Sequence, residues 1–178
     1  MTVTDTSATT QHRHLQEPDR GVEAAVADHI RDHHGAMVAE LARLTTAVRD
    51  APPAEATAAR AALTQWFETT LVPHADEEEA TTYRAARELP EGRLLIEAMV
   101  REHVLIKRLV ALFAEAEGSS AAAYARAVLE AFTSHQEKEN EVILPLLVAA
   151  PQVSLAEVMA AAPGGHQVGE HAHHHHHH

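Results

Sequence analysis

Apolar residues return every third or fourth position through most of this chain, and four long stretches carry the pattern of amphipathic helices. In the first, over residues 22–50, Val22, Val26, Ile30, Met37, Leu41, Leu44 and Val48 form one stripe, which Ala51-Pro52-Pro53 ends. The second runs over 54–89 with Leu63, Trp66, Phe67 and Leu71 inward, a kink expected at Pro73 and a stop at Pro90. The third, 92–117, places Leu95, Ile96, Met99, Ile106, Val110 and Phe113 on its buried side, and Gly118-Ser119-Ser120 closes it. The fourth, 120–148, carries Val128, Ala131, Phe132, Val142, Ile143 and Leu146, with Pro145 bending its last turn. Residues 154–161, within a segment 151–163, suit a short C-terminal helix. Residues 1–20 are polar and aperiodic and read as a flexible tail that takes His12 and His14 with it. Residues 164–178 read as a second tail, of which 173–178 is a histidine tag.

The expected class is all-α. Aromatic residues make up only 3% of the chain, so typical strand formers are scarce while Ala, Leu, Glu and Arg abound. Short connections between long helices favour an antiparallel up-down-up-down four-helix bundle over 21–150 as one domain. Zero Cys excludes thiolate metal sites and thiol nucleophiles, so any metal must be held by His, Asp or Glu, and it points to the cytoplasm. No stretch is long and apolar enough to span a membrane, and a net charge of −12 without a basic stripe argues against nucleic acid.

Five histidines fall on the apolar stripes: His29, His33, His74, His103 and His135. Two of them open the same tetrad, His74-x-x-x-Glu78 and His135-x-x-x-Glu139, which sets an imidazole and a carboxylate one turn apart on one helix face. Height in the bundle is a sharper test. At 1.5 Å per residue, His33 and His103 each lie roughly 17 Å from the start of their helices. His74 and His135 lie roughly 22 and 20 Å from the ends of theirs, and Glu78 and Glu139 roughly 17 and 14 Å. On helices of alternating direction all six meet near one level. Buried carboxylates without partners are costly, and no inward basic residue neutralises them, so metal cations are the expected partners. A sulfur-free N/O donor set suits iron or manganese as a carboxylate-bridged pair, and zinc is tolerated.

At this point the sequence resembles the hemerythrin-like family with its HHE cation-binding domain. The resemblance rests on IRDHHGAMVAEL, LVPHADEEE, VREHVLIKRL and TSHQEKENEVILPLL, and covers residues 22–148. It implies two irons joined by an oxo or hydroxo group, with His33, His74, Glu78, His103, His135 and Glu139 as ligands and the two glutamates bridging. It also implies partners among O2, H2O2 and NO. The ferritin-like alternative is marked by Glu-x-x-His pairs, which the helical region lacks.

The chain departs from the oxygen-carrier pattern. Met99 and Lys107 stand one turn either side of His103, where that pattern has a second histidine, and Asn140 stands where it has an aspartate. Two six-coordinate metals offer about twelve positions, of which the six ligands and a bridge fill about ten. The spare positions favour chemistry over storage. His29 either fills one or stays on the flank, and Glu77 and Glu102 are a third carboxylate, partners of the imidazoles, or solvated charges. His34, rotated about 100° from His33, is expected at the surface and Glu79 in solvent. Tyr83 is expected to pack in the core or at an interface, or to line the end of the pocket. Three functions follow: a di-iron protein with catalase-like or oxidase chemistry toward O2, H2O2 or NO, which leans toward an enzyme; a di-iron oxygenase or oxidase acting on a small organic metabolite; and an iron or oxygen sensor.

Overall fold

A computed structural model describes residues 17–162, and all of its regular structure is helical. The tail residues 1–16, with His12 and His14, and residues 163–178, with the tag, lie outside the described residues. The first long segment is α1 (Arg20–Asp50), capped by the Asp19 carboxylate, which accepts from the N–H groups of Gly21 and Val22. The second is built from α2 (Ala56–Trp66), α3 (Val72–Ala80) and α4 (Thr82–Arg87). The third is α5 (Arg93–Ala114), the fourth comprises α6 (Gly118–Lys138) and α7 (Leu144–Ala149), and α8 (Leu155–Ala160) follows.

The second and fourth segments each contain one wide π turn, at Phe67–Leu71 and Glu139–Ile143. Both turns have the same chemical origin. A proline follows the turn's first residue by six positions, Pro73 and Pro145, and has no N–H for the ladder. The residue before it reaches back five positions instead, Val72 N–H to the Phe67 carbonyl and Leu144 N–H to the Glu139 carbonyl. Pro73 therefore opens α3 behind a π turn, and the sharper break comes at Thr81 (φ −120°, ψ −93°), which the hydrophobic pattern does not announce. Val142, expected inside, is 47% exposed, because the extra residue of its π turn shifts the phase. Val22, also expected inside, lies on the exposed first turn of α1.

Two apolar clusters fill the interior. One gathers Met37, Leu41, Leu63, Phe67, Leu71, Ile106, Phe113, Val128 and Phe132; the other gathers Ala27, Tyr83, Ile96, Met99, Ile143, Leu144, Leu147 and Leu155. Every long segment passes from one cluster to the other through buried polar residues. On α1 that residue is His34, between Ala27 and Met37; on α5 it is His103, between Met99 and Ile106. On the second segment Glu78 lies between Leu71 and Tyr83, and on the fourth His135 and Glu139 lie between Phe132 and Ile143. Burying these apolar side chains, at about 25 cal/mol per Å², stabilises the layers on either side of a polar one. At the α4–α5 corner Gly92 is required, since a Cβ there would sit 2.0 Å from the Ala86 carbonyl oxygen.

The candidate metal centre

The polar layer holds two overlapping groups of donors. His34, His74, Glu78 and Glu139 form one, and Glu78, His103, His135 and Glu139 the other; within each, the donor atoms lie within 4.8 Å of one another. The two carboxylates belong to both groups. His74 Nε2 lies 3.3 Å from Glu78 Oε1, and His34 Nε2 lies 3.5 Å from Glu139 Oε2 and 3.8 Å from Glu78 Oε2. On the other side His135 Nε2 is 2.9 Å from Glu139 Oε1, and His103 Nε2 is 3.6 Å from Glu78 Oε1.

The outer nitrogens of three imidazoles are already committed. His34 Nδ1 lies 2.7 Å from Asn140 Oδ1, His135 Nδ1 2.7 Å from Glu102 Oε2, and His103 Nδ1 3.3 Å from Glu79 Oε2. All three partners are acceptors, so each Nδ1 donates to its partner and each ring is held with Nε2 aimed inward. Asn140 is itself placed by the π turn. Its carbonyl has lost its ladder donor, because Leu144 N–H goes to Glu139 and Pro145 has none, and Arg31 Nε donates to it instead at 3.2 Å.

The donor set therefore tests itself for cations. His103 Nε2 and His135 Nε2 face each other at 2.9 Å, both turned toward the carboxylates. Glu78 Oε1, Glu139 Oε2 and His74 Nε2 are buried and make no hydrogen bond. Converging lone pairs and carboxylate oxygens in an apolar core repel, and leaving them unsatisfied costs about 1–3 kcal/mol each. Positive ions between them remove both problems, so the residues present fit a pair of metal cations.

Titration behaviour follows the same crowding. Burial and the neighbouring Glu139 push Glu78 well above the usual carboxylate range. At Glu139 burial acts upward, but His135 and Glu78 as hydrogen-bond partners hold it down, at about 2. The two carboxylates thus shift in opposite directions, Glu78 toward its protonated form and Glu139 toward its charged one. Burial lowers His34 and His74, whereas at His135 the hydrogen bonds and charges of Glu139 and Glu102 overcome burial and raise it. Burial, with the charges of Glu78 and Glu139, pushes Tyr83 far up, so its phenol stays protonated and donates to Glu139 Oε1.

Of the ligands expected from sequence, the structure brings together His74, Glu78, His103, His135 and Glu139. His33 is exposed and lines the cavity with its ring 5.5 Å from that of His74, while the α1 residue within the donor group is its neighbour His34, only 2% exposed rather than at the surface. Helix phase explains this. At about 100° per residue, His34 points about 20° from the mean direction of the other buried residues of α1 and His33 about 80°. The spacing His34-Met37-Leu41 in the sequence carries that signal. His29 is exposed and in neither donor group, and Glu77 is half-buried; with His33 both line the mouth of a cavity. Glu102 serves as the partner of His135, tied in turn to Lys138, and Glu79, expected in solvent, is half-buried against His103. Tyr83 belongs to the site: it is fully buried, with its hydroxyl among His135, His103 and Glu139.

The cavity, about 250 Å³, reaches His34, His74, Glu78 and Glu139 but neither His103 nor His135. Its outer wall includes Met159 and Ala160 of α8. That short helix is anchored by the buried Glu23 carboxylate, which accepts from the Leu155 N–H and from Ser154 Oγ at 3.2 Å.

The family model described as the hemerythrin HHE cation-binding domain matches residues 25–147, an interval that contains every donor of both groups. No curated protein and no solved structure matches the chain.

Proposed function

From the premise that this chain belongs to the hemerythrin HHE cation-binding family, we propose that it holds a di-iron centre that binds and reacts with O2, H2O2 or NO, as an oxidoreductase rather than a carrier. The observation that carries this reading is the pair of donor groups sharing Glu78 and Glu139, with a cavity on one side only. His34 and His74 would hold one iron, His103 and His135 the other, and the two glutamates would bridge them. Bound there, iron supplies one-electron redox couples and open positions for a small oxidant. The order in which successive segments cross the two apolar clusters alternates, which supports an antiparallel up-down-up-down four-helix bundle. The absence of Cys, and of any helix long and apolar enough to cross a membrane among the described residues, suits a cytoplasmic protein.

The chain's own residues do three things for such chemistry. Asn140, Glu102 and Glu79 fix three imidazoles with Nε2 inward. The apolar layers above and below the donors, with the cavity reaching neither His103 nor His135, keep bulk water from that side and strengthen its charge interactions. Burial and Glu139 favour the protonated form of Glu78, so cations held there by Glu78 and Glu139 would displace its proton.

The test is metal analysis of tag-free protein purified in air, followed by addition of peroxide with an oxygen electrode. Two irons per chain, near-ultraviolet charge transfer from an oxygen bridge and evolution of O2 are expected. A colourless protein with a single zinc sinks the proposal. A second reading, oxidation of a small organic molecule, is favoured by one observation: the cavity has Ile30, Ile143, Leu144 and Met159 in its wall and is larger than a diatomic needs. Consumption of O2 that depends on an added small apolar alcohol or acid, without peroxide turnover, would select it.

A further inference from the structure

Tyr83 stands among the donors but outside both donor groups. It comes from α4, just past the break at Thr81, and its ring stacks on His103 with centroids 5.1 Å apart and planes 9° apart. Its hydroxyl lies 2.8 Å from His135 Nε2 and 3.4 Å from His103 Nε2, and it donates to Glu139 Oε1. Every polar atom it touches is one that a cation on this side would claim.

Those separations have a specific meaning. Ligand atoms about 2.0–2.2 Å from one cation sit about 3 Å apart when they are neighbours in its coordination sphere. The two imidazole nitrogens are 2.9 Å apart, and His135 Nε2 is 2.9 Å from Glu139 Oε1. The phenolic oxygen keeps the same spacing from His135 as these donors keep from one another. A mere hydrogen-bonding role would set the phenol in competition with a cation for the lone pairs of Glu139 and His135. A purely packing role would need no hydroxyl, and phenylalanine would fill the space.

We propose that Tyr83 Oη is a direct ligand of the cation held by His103 and His135. The proposal rests on the two-cation reading above and deepens it. The phenolic proton leaves as the cation arrives, as the protons of other ligands do. The centre then has unequal halves. Tyr83 occupies the spare position on the His103–His135 side, which the cavity does not reach. The position beside His34 and His74 opens on the cavity, so a single small anion or oxidant binds per centre, and on that side.

The chain has only two tyrosines, and the other, Tyr124, packs against the apolar cluster around Phe113, so the signal is assignable. Tag-free protein is loaded with Fe(II) and oxidised in air, its iron counted, and its visible and resonance Raman spectra recorded for wild type, Tyr83→Phe and Tyr124→Phe. Wild type and Tyr124→Phe should hold two irons and show a visible phenolate-to-iron charge-transfer band with enhanced phenol ring modes. Tyr83→Phe should hold iron without that band, and its azide titration should rise from one to two anions per chain. Ring-deuterated tyrosine in the Tyr124→Phe background assigns the modes with Tyr83 in place, whatever the fate of the Tyr83→Phe fold. Two irons with no band, or with modes that the label does not shift, overturn the tyrosine ligand and leave the di-iron centre standing. Wild-type protein that takes up no iron overturns both.

Discussion

Replacing Glu78 by Gln separates a metal site from an ordinary structural carboxylate. Glu78 lies in the core near a second carboxylate, and its Oε1 makes no hydrogen bond within the chain. Burial and Glu139 raise its pKa, so its protonated form is favoured in the fold. The stability this group contributes is fully present below the usual carboxylate range and is lost as pH rises through its folded value. Glutamine is always neutral and removes that loss. Relief of an unsatisfied, charge-disfavouring position is worth about 1–3 kcal/mol. At roughly 2–4 °C per kcal/mol for a chain of this size, the metal-free Glu78→Gln protein should melt about 2–12 °C above wild type near neutral pH. The gain should shrink to nothing at acid pH. With saturating metal the order should invert, since ligand at about 100 times its dissociation constant adds about 2.7 kcal/mol to wild type, and the variant lacks a bridge. The assay is thermal unfolding by circular dichroism across pH, with chelator and then with Co(II) or Fe(II). A variant less stable than wild type in chelator at neutral pH refutes the reasoning, because Glu78 would then be satisfied without metal.

Four further outcomes follow. His34→Ala should lose close to one metal ion per chain while His33→Ala keeps both, which equilibrium dialysis against Co(II) reads directly. Glu102→Gln weakens the acceptor for His135 Nδ1 and should lower metal affinity by roughly 10–100-fold in competition with a coloured chelator. Glu23→Ala removes the acceptor for Ser154 and Leu155; a loss of about 1–3 kcal/mol in urea unfolding and faster proteolysis near α8 are expected. Loading metal-free protein with Co(II) in weakly buffered solution near neutral pH should release protons, because Glu78 and His135 both hold theirs above the ordinary range; an unchanged pH argues against their ligation.

Much of this was legible in one dimension. The His-x-x-x-Glu tetrads and the matched heights put His74, Glu78, His103, His135 and Glu139 at one level, where the structure has them close together, because helix rise fixes level whatever the packing details. Phase is more demanding. His33 and His34 share a level, and only the mean direction of the whole of α1 chooses between them. Tyr83 was hidden for a stronger reason: on an unbroken helix it would point about 140° away from Glu78, and the break at Thr81 is what turns it inward. Glu79 and Glu102 find their histidines across helices, at angles that no single helix encodes. The π turns were equally silent, since a proline in a helix can kink it, end it or widen the turn before it.

The wide turn at Glu139–Ile143 also sets local and global interests against each other. It works as a one-residue phase insertion between a half-helix that presents His135 and one that seats Leu144 and Leu147 in the apolar cluster. Deleting a single residue there would give the backbone a more regular helix. The same deletion would turn the two halves by about 100° against each other, so that either the donors or the core would face outward. Sequence length in this stretch is therefore constrained more tightly than sequence identity, and a chain that drifts by one residue here should lose its centre while gaining helical regularity.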